Sequence, residues 1–196
     1  FERRCEAAGV QGDLTIGVGP VNQVLCDRAR WADLLVLNLA YPPAPQPLAR
    51  LSSGFSNLIR RSSRPLLAVP GPASSLDRAL LAYDGSPKSK EALYVAAYLA
   101  AQGQVPLAIV TVTEGSHVTP DVLKEAEEYL APLGVQVIPV SANGPVAETI
   151  LQAAEAYDND LILMGGYGYG PVAEVVLGSA VDGVLRASGQ PVLICH

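Results

Sequence analysis

Five short apolar runs punctuate the later part of the chain: Ala79–Tyr83, Leu107–Val112, Val135–Val140, Leu161–Met164 and Val192–Cys195. Their nearly unbroken apolar character predicts parallel strands covered on both faces. Helical patterns lie between them. Ser86-Pro87 supplies an N-cap followed by proline at the first helical position, opening a helix through about Ala101. Thr119-Pro120 does the same for a helix ending near Leu133-Gly134. Val146, Ile150, Leu151 and Ala154 make an apolar stripe at helical spacing, and Ser179 opens a last helix stopped by Gly189. The order βαβαβαβαβ predicts an α/β fold, a doubly wound open parallel sheet, with its ligand crevice at the carboxyl ends of the strands. Asp84 and Gly165 both fall at such ends.

The pattern is repeated. Gly9-Val10-Gln11, eight residues, Gly19-Pro20-Val21 recurs without gaps as Gly134-Val135-Gln136, eight residues, Gly144-Pro145-Val146. Ala32–Leu37 matches Asn159–Met164, and Leu51 to Leu67 matches Leu177 to Leu193, with Arg60 against Arg186 and Pro65 against Pro191. One unit is therefore present twice. Residues 76–196 hold the complete copy. Residues 1–75 hold the carboxyl-terminal part of a degenerate copy plus the breaker-rich linker Pro70–Ser75, with no counterpart of residues 78–130.

Composition narrows the partners. The chain has 196 residues, is 49% hydrophobic and carries a net charge of −6, enough apolar surface for a core and no overall attraction for nucleic acid or anionic membrane. The charge is uneven: eight basic against five acidic residues up to Ser75, five against fourteen beyond it. No apolar run approaches the roughly 20 residues that span a bilayer; no secretory leader is read in these residues, and because they begin at Phe1 rather than Met an earlier segment is left open. Cys5, Cys26 and Cys195 are odd in number and lack metal-ligand spacing, which fits a reducing cytoplasm. Cys195, inside an apolar run, reads as a buried inert thiol.

The candidate chemistry follows the fourth run. Gly165, two residues, Gly168, nine residues, Gly178-Ser179 places a glycine-rich turn after a strand and a Gly-Ser pair before a helix. Glycine admits close backbone approach and a helix N-terminus carries partial positive charge, so the arrangement suits phosphate oxygens. Other candidates have plainer readings. Asp84, just before a Ser-Pro helix start, has two readings, a residue that serves only the turn and a ligand contact. Asp160 reads as a turn residue, since its counterpart Asp33 survives where the glycines do not. Tyr167 and Tyr169 are placed to cover the site. His117 and His196 have no ligand partners at metal spacing, and Glu125, Glu127 and Glu128 read as a solvated helix face.

From ALLAYDGSPKSKEAL to GSAVDGVLRASGQPVLICH, the second copy resembles the universal stress protein family, and Gly-x2-Gly-x9-Gly-Ser is the mark of its ATP-binding branch. The resemblance implies the universal stress protein fold, which is like that of the adenine-nucleotide alpha-hydrolases. It also implies adenosine held by Asp84 and the main chain of Val112, and ribose lined by Met164 and Gly165. Phosphates would be cradled by Gly168, Gly178, Ser179 and Ala180, with Tyr167 and Val181 at contact positions. The implied ligand is ATP, ADP or AMP, with Mg²⁺ accompanying a triphosphate through phosphates and water. Relatives dimerise through the last strand, so a tandem chain is expected to pair its two repeats internally as a pseudodimer; a homodimer is left open. The implied role is regulatory, in the stress response.

Two departures bear on this. The loop Tyr167–Leu177 has no Lys or Arg, and its one charge is Glu174. In the first copy Asn38, Tyr41 and Ser52-Ser53 replace the signature, and Pro42, Pro43, Pro45 and Pro47 remove the N–H groups a phosphate nest needs. The first copy therefore reads as structural. The alternatives are a slow ATPase or a nucleotide-free interaction module of the same fold. A nucleotidyltransferase would bring His-x-Gly-His or Ser-Gly-Gly-x-Asp-Ser, and a phosphoacceptor receiver would bring an Asp where Ser141-Ala142-Asn143 stands. The pattern offers no evident catalytic base apart from Glu174, so binding rather than catalysis is the expectation.

Overall fold

The computed structural model describes residues 1–39, 54–71, 74–113, 120–167 and 180–196. In chain order these form α1 (Glu2–Ala8), α2 (Val21–Ala29), β1 (Leu35–Asn38), α3 (Gly54–Arg61), β2 (Leu66–Val69) and β3 (Ala79–Ala82). Then come α4 (Pro87–Gly103), β4 (Leu107–Thr113), α5 (Pro120–Leu130), β5 (Val137–Asn143), α6 (Val146–Ala156), β6 (Leu161–Gly165), α7 (Ala180–Ala187) and β7 (Val192–Cys195).

The strands join one sheet in the order β1-β2-β7-β6-β3-β4-β5. Its neighbours run parallel, except that β2 and β7 are antiparallel. Alternate side chains feed two apolar layers. Leu80, Val110, Ile162 and Ile194 pack with Ala29 of α2, Ile59 of α3, Ile150 of α6 and Leu185 of α7. Leu81, Ile109, Leu163 and Leu193 pack on the other side with Leu93 and Ala96 of α4 and Leu130 of α5. Helices cover both faces, as the doubly wound reading requires.

Local chemistry sets the element ends. Ser86 caps α4 by accepting a hydrogen bond from the Ser89 N–H at 3.2 Å, with Pro87 in the first turn. Helix α4 runs to Gly103, slightly past the expected end, and Gln104 closes it with φ 52°. Helix α5 passes into a single 3₁₀ turn, Ala131–Leu133, ended by Gly134 at φ 71°. The fifth strand is displaced from Val135–Val140 to Val137–Asn143, because the Val135 N–H bonds back to the Leu130 carbonyl at 3.4 Å. The later start is balanced at the other end, where Ser141, Ala142 and Asn143 pair with Thr111, Val112 and Thr113.

The corresponding segments of the two halves match in backbone as well as in sequence. Gly19 and Gly144 take φ 134° and 150° before the prolines that open α2 and α6. Leu35 pairs with Leu66 as Ile162 pairs with Val192. The halves differ where partners are lacking. Gly12–Val18, which aligns with β5, forms no strand, and Ile16 is 85% exposed. Strand β5 exists by pairing with β4, and among the described residues β4 has no counterpart in the first half. Val36 on β1 is likewise 60% exposed, whereas Leu163 at the equivalent place on β6 lies fully buried against α4.

Candidate functional site

Strand β3 sits between β6 and β4, and the chain leaves it toward α4 on one face while α6 feeds β6 from the other. That makes the β3–β6 boundary the topological switch point, where open α/β sheets form a crevice at the carboxyl ends of the strands. Ala82 pairs with Met164, so the segments leaving β3 and β6 emerge side by side.

Beyond β3, the Tyr83 N–H still bonds Val110, and the Thr111 hydroxyl donates to the Tyr83 carbonyl at 2.9 Å. Asp84 follows, exposed. Its Oδ1 accepts from the Ser86 N–H at 2.9 Å, so one oxygen shapes the turn, and Oδ2 has no partner among the described residues. The turn and ligand readings of Asp84 are therefore compatible. Gly85 completes the turn at φ 77°.

At the end of β6, Gly165 pairs with Cys195. A Cβ on Gly165 would lie 2.6 Å from the Lys88 carbonyl carbon and 2.7 Å from the Ser89 nitrogen. Close passage of the first turn of α4 thus demands glycine here, a packing reason that stands apart from any ligand. The Gly166 N–H then bonds the Cys195 carbonyl at 2.7 Å. His196, beside it, is held below the ordinary imidazole pKa first by burial and then by the charge of Lys88.

Tyr167 comes next, and its side chain turns toward the helices. The hydroxyl donates to Asp182 Oδ1 at 2.6 Å and shares a hydrogen bond with the Ser56 hydroxyl at 2.8 Å, while the Arg60 guanidinium lies 4.1 Å from the ring centroid. Burial, then the bond to Asp182, push ionisation of this phenol far above its ordinary range. Asp182 and Ser56 are themselves buried.

Of the residues singled out in the sequence, Val112, Met164, Tyr167, Ala180 and Val181 fall in one apolar cluster. Asp84 and Gly165 stand at the neighbouring strand ends. Gly168, Gly178 and Ser179 lie outside the described residues, as do His117 and Glu174. Among the described residues no group of three His, Cys, Asp or Glu is gathered as for a metal ion. Ser56, Arg60 and Asp182 escaped the sequence reading. Asp182 gave the available signal, an acid between Val181 and the apolar pair Val184-Leu185 on a helix that packs against the sheet. Asp160 is structural: it accepts from the N–H groups of Asp77 and Arg78 and the hydroxyls of Ser74 and Ser75, holding the linker.

The sequence profile of the universal stress protein family matches residues 117–196. A universal stress protein of Bacillus subtilis is 31% identical over an alignment 144 residues long that covers 60% of this chain and 97% of the relative. The chain belongs to the universal stress protein family. A second universal stress protein, from Synechocystis sp., is 29% identical over 163 residues, 82% of this chain. The chain spans 57% of that relative's length. Among solved structures, a universal stress protein from Archaeoglobus fulgidus has the same fold, with a TM-score of 0.81 at 24% identity over 98% of this chain and 72% of its own. A universal stress protein in complex with cAMP matches with a TM-score of 0.55 at 27% identity, over 63% of this chain and 98% of its own. No helix among the described residues of this universal stress protein is long and apolar enough to cross a membrane.

Proposed function

We propose that this universal stress protein binds an adenine nucleotide, ATP or its relatives ADP and AMP, at the carboxyl ends of β3, β4 and β6, with one site per chain. The observation that carries the reading is the place of Gly165. The glycine signature Gly-x2-Gly-x9-Gly-Ser starts there, at the switch point beside the turn that holds Asp84. The relative solved with cAMP, matched over 63% of this chain, supports an adenine nucleotide as the ligand class. In this reading Asp84 and the main chain of Val112 hold the adenosine, and Met164 and Gly165 line the ribose. Gly168, Gly178, Ser179 and Ala180 hold the phosphates, flanked by Tyr167 and Val181. Mg²⁺ accompanies a triphosphate through its oxygens and water.

Residues 76–196 are the binding domain. Residues 1–75 are a degenerate partner domain with linker, paired to it through β2 and β7 as a tandem pseudodimer. Asn38 in place of Gly165 and the prolines after Tyr41 support a single site. The unpaired cysteines fit a cytoplasmic location, and a regulatory role in the stress response fits ligand binding without catalysis. Calorimetry with ATP, ADP, AMP and cAMP tests the reading. One site per chain is expected, lost in Gly168→Val and Gly178→Val, with EDTA weakening ATP binding and leaving AMP binding unchanged. Two equivalent sites, or none at millimolar nucleotide, would overturn it.

A further inference from the structure

We propose that Tyr167 is a positioning residue through which helix α3, from the first half of the chain, sets nucleotide affinity in the second; this rests on the nucleotide-binding reading above. Tyr167 is the second residue beyond β6 and immediately precedes Gly168, and its hydroxyl reaches Asp182 in the first turn of α7 at 2.6 Å. One hydrogen bond therefore joins the chain leaving β6 to the helix that follows the glycine signature. The same hydroxyl lies 2.8 Å from Ser56, and Arg60 stacks on the ring with 4.1 Å to its centroid. Both belong to α3, which is thus tied to the start of that signature by a polar bridge and a cation–π contact.

Burial makes the bridge consequential. Asp182 is 5% and Ser56 6% exposed, so losing the hydroxyl takes a partner from two buried polar groups at once. The arrangement is also one-sided. Ser56 and Asp182 occupy equivalent places in the two copies, on α3 and α7, yet a single tyrosine from the second copy serves both. The second half leans on the first at this point. By linkage, a nucleotide that tightens this end of the crevice tightens α3 by the same free energy.

The test uses the full chain with Tyr167→Phe, Ser56→Ala and their combination, followed by hydrogen exchange with and without ATP and by calorimetry. Without nucleotide, each single variant should speed amide exchange in both α3 and α7, and the double variant should add little. ATP affinity should fall roughly tenfold in each single variant, and ATP should protect α3 in the parent chain but not in Tyr167→Phe. Faster exchange in only one of the two helices, or unchanged ATP affinity in Tyr167→Phe, would overturn the proposal. If the parent binds no adenine nucleotide, the proposed function fails, and the bridge then stands or falls on the nucleotide-free exchange. Should Tyr167→Phe not fold, Ser56→Ala carries the same readings.

Discussion

Leu67 of β2 lies directly opposite Leu193 of β7, and the pairs on either side, Leu66 with Ile194 and Ala68 with Val192, exchange when the two strands are exchanged. Leu66 and Val192 each follow their proline, Pro65 and Pro191, by one residue. The antiparallel junction is thus symmetric about the Leu67–Leu193 pair. It buries two strand edges that would otherwise offer a template for aggregation.

Leu67→Pro or Val192→Pro should break this junction, because proline cannot donate to a ladder inside a sheet. Aggregation or a large drop in melting temperature is expected by light scattering and thermal unfolding, with Leu67→Val as a tolerated control. Proline variants that stay soluble with an unchanged melt would refute the pairing.

Gly165→Ala should destabilise the fold even without ligand, since the added methyl meets backbone of α4 at 2.6 Å. A loss of about 1–3 kcal/mol is expected in urea unfolding. Gly189→Ala, where nothing lies within 4 Å, should change stability by no more than about 0.5 kcal/mol. Equal effects would show that the close passage of α4 does not constrain Gly165.

Asp160 gives the linker a pH dependence. Burial opposes its charge, but the amides of Arg78 and Asp77 and the hydroxyls of Ser75 and Ser74 outweigh burial and hold its pKa at about 2, against an ordinary 3.8. A folded pKa below the unfolded one means stability that is present above pH 3.8 and lost as pH falls toward 2. Asp160→Asn should therefore be less stable than the parent at neutral pH, with the gap closing in acid. Denaturant titrations across that range decide it, and a gap independent of pH would sink the assignment.

Cys195 should resist alkylation. Its side chain is buried, and burial, then the charge of Glu91, push the thiol up to about 12. At pH 8 iodoacetamide should label Cys5 and Cys26, both partly exposed, well before Cys195, with peptide mass spectrometry as the readout. Labelling of all three at equal rates in the folded chain would contradict the burial of β7.

The sequence by itself determined what rests on neighbours in the chain. Apolar runs marked the strands, Ser86-Pro87 marked the start of α4, and Gly134 marked the turn before β5. The repeat of Gly19-Pro20 as Gly144-Pro145 foretold matching backbone, since positive φ and fixed proline geometry are local properties. The family was legible in the same way, from residues at set spacing. Only the tertiary structure decided matters that depend on a partner far along the chain. Gly12–Val18 has the sequence match of a strand and forms none, because a strand needs a neighbour to ladder with. Gly165 proved to answer the backbone of α4 as well as any ligand. The family resemblance puts Tyr167 at a contact position, and the fold adds that its hydroxyl goes to Asp182 and to Ser56, the latter 111 residues away. Periodicity and spacing carry no record of such a contact, because it arises only when two halves of one chain pack together.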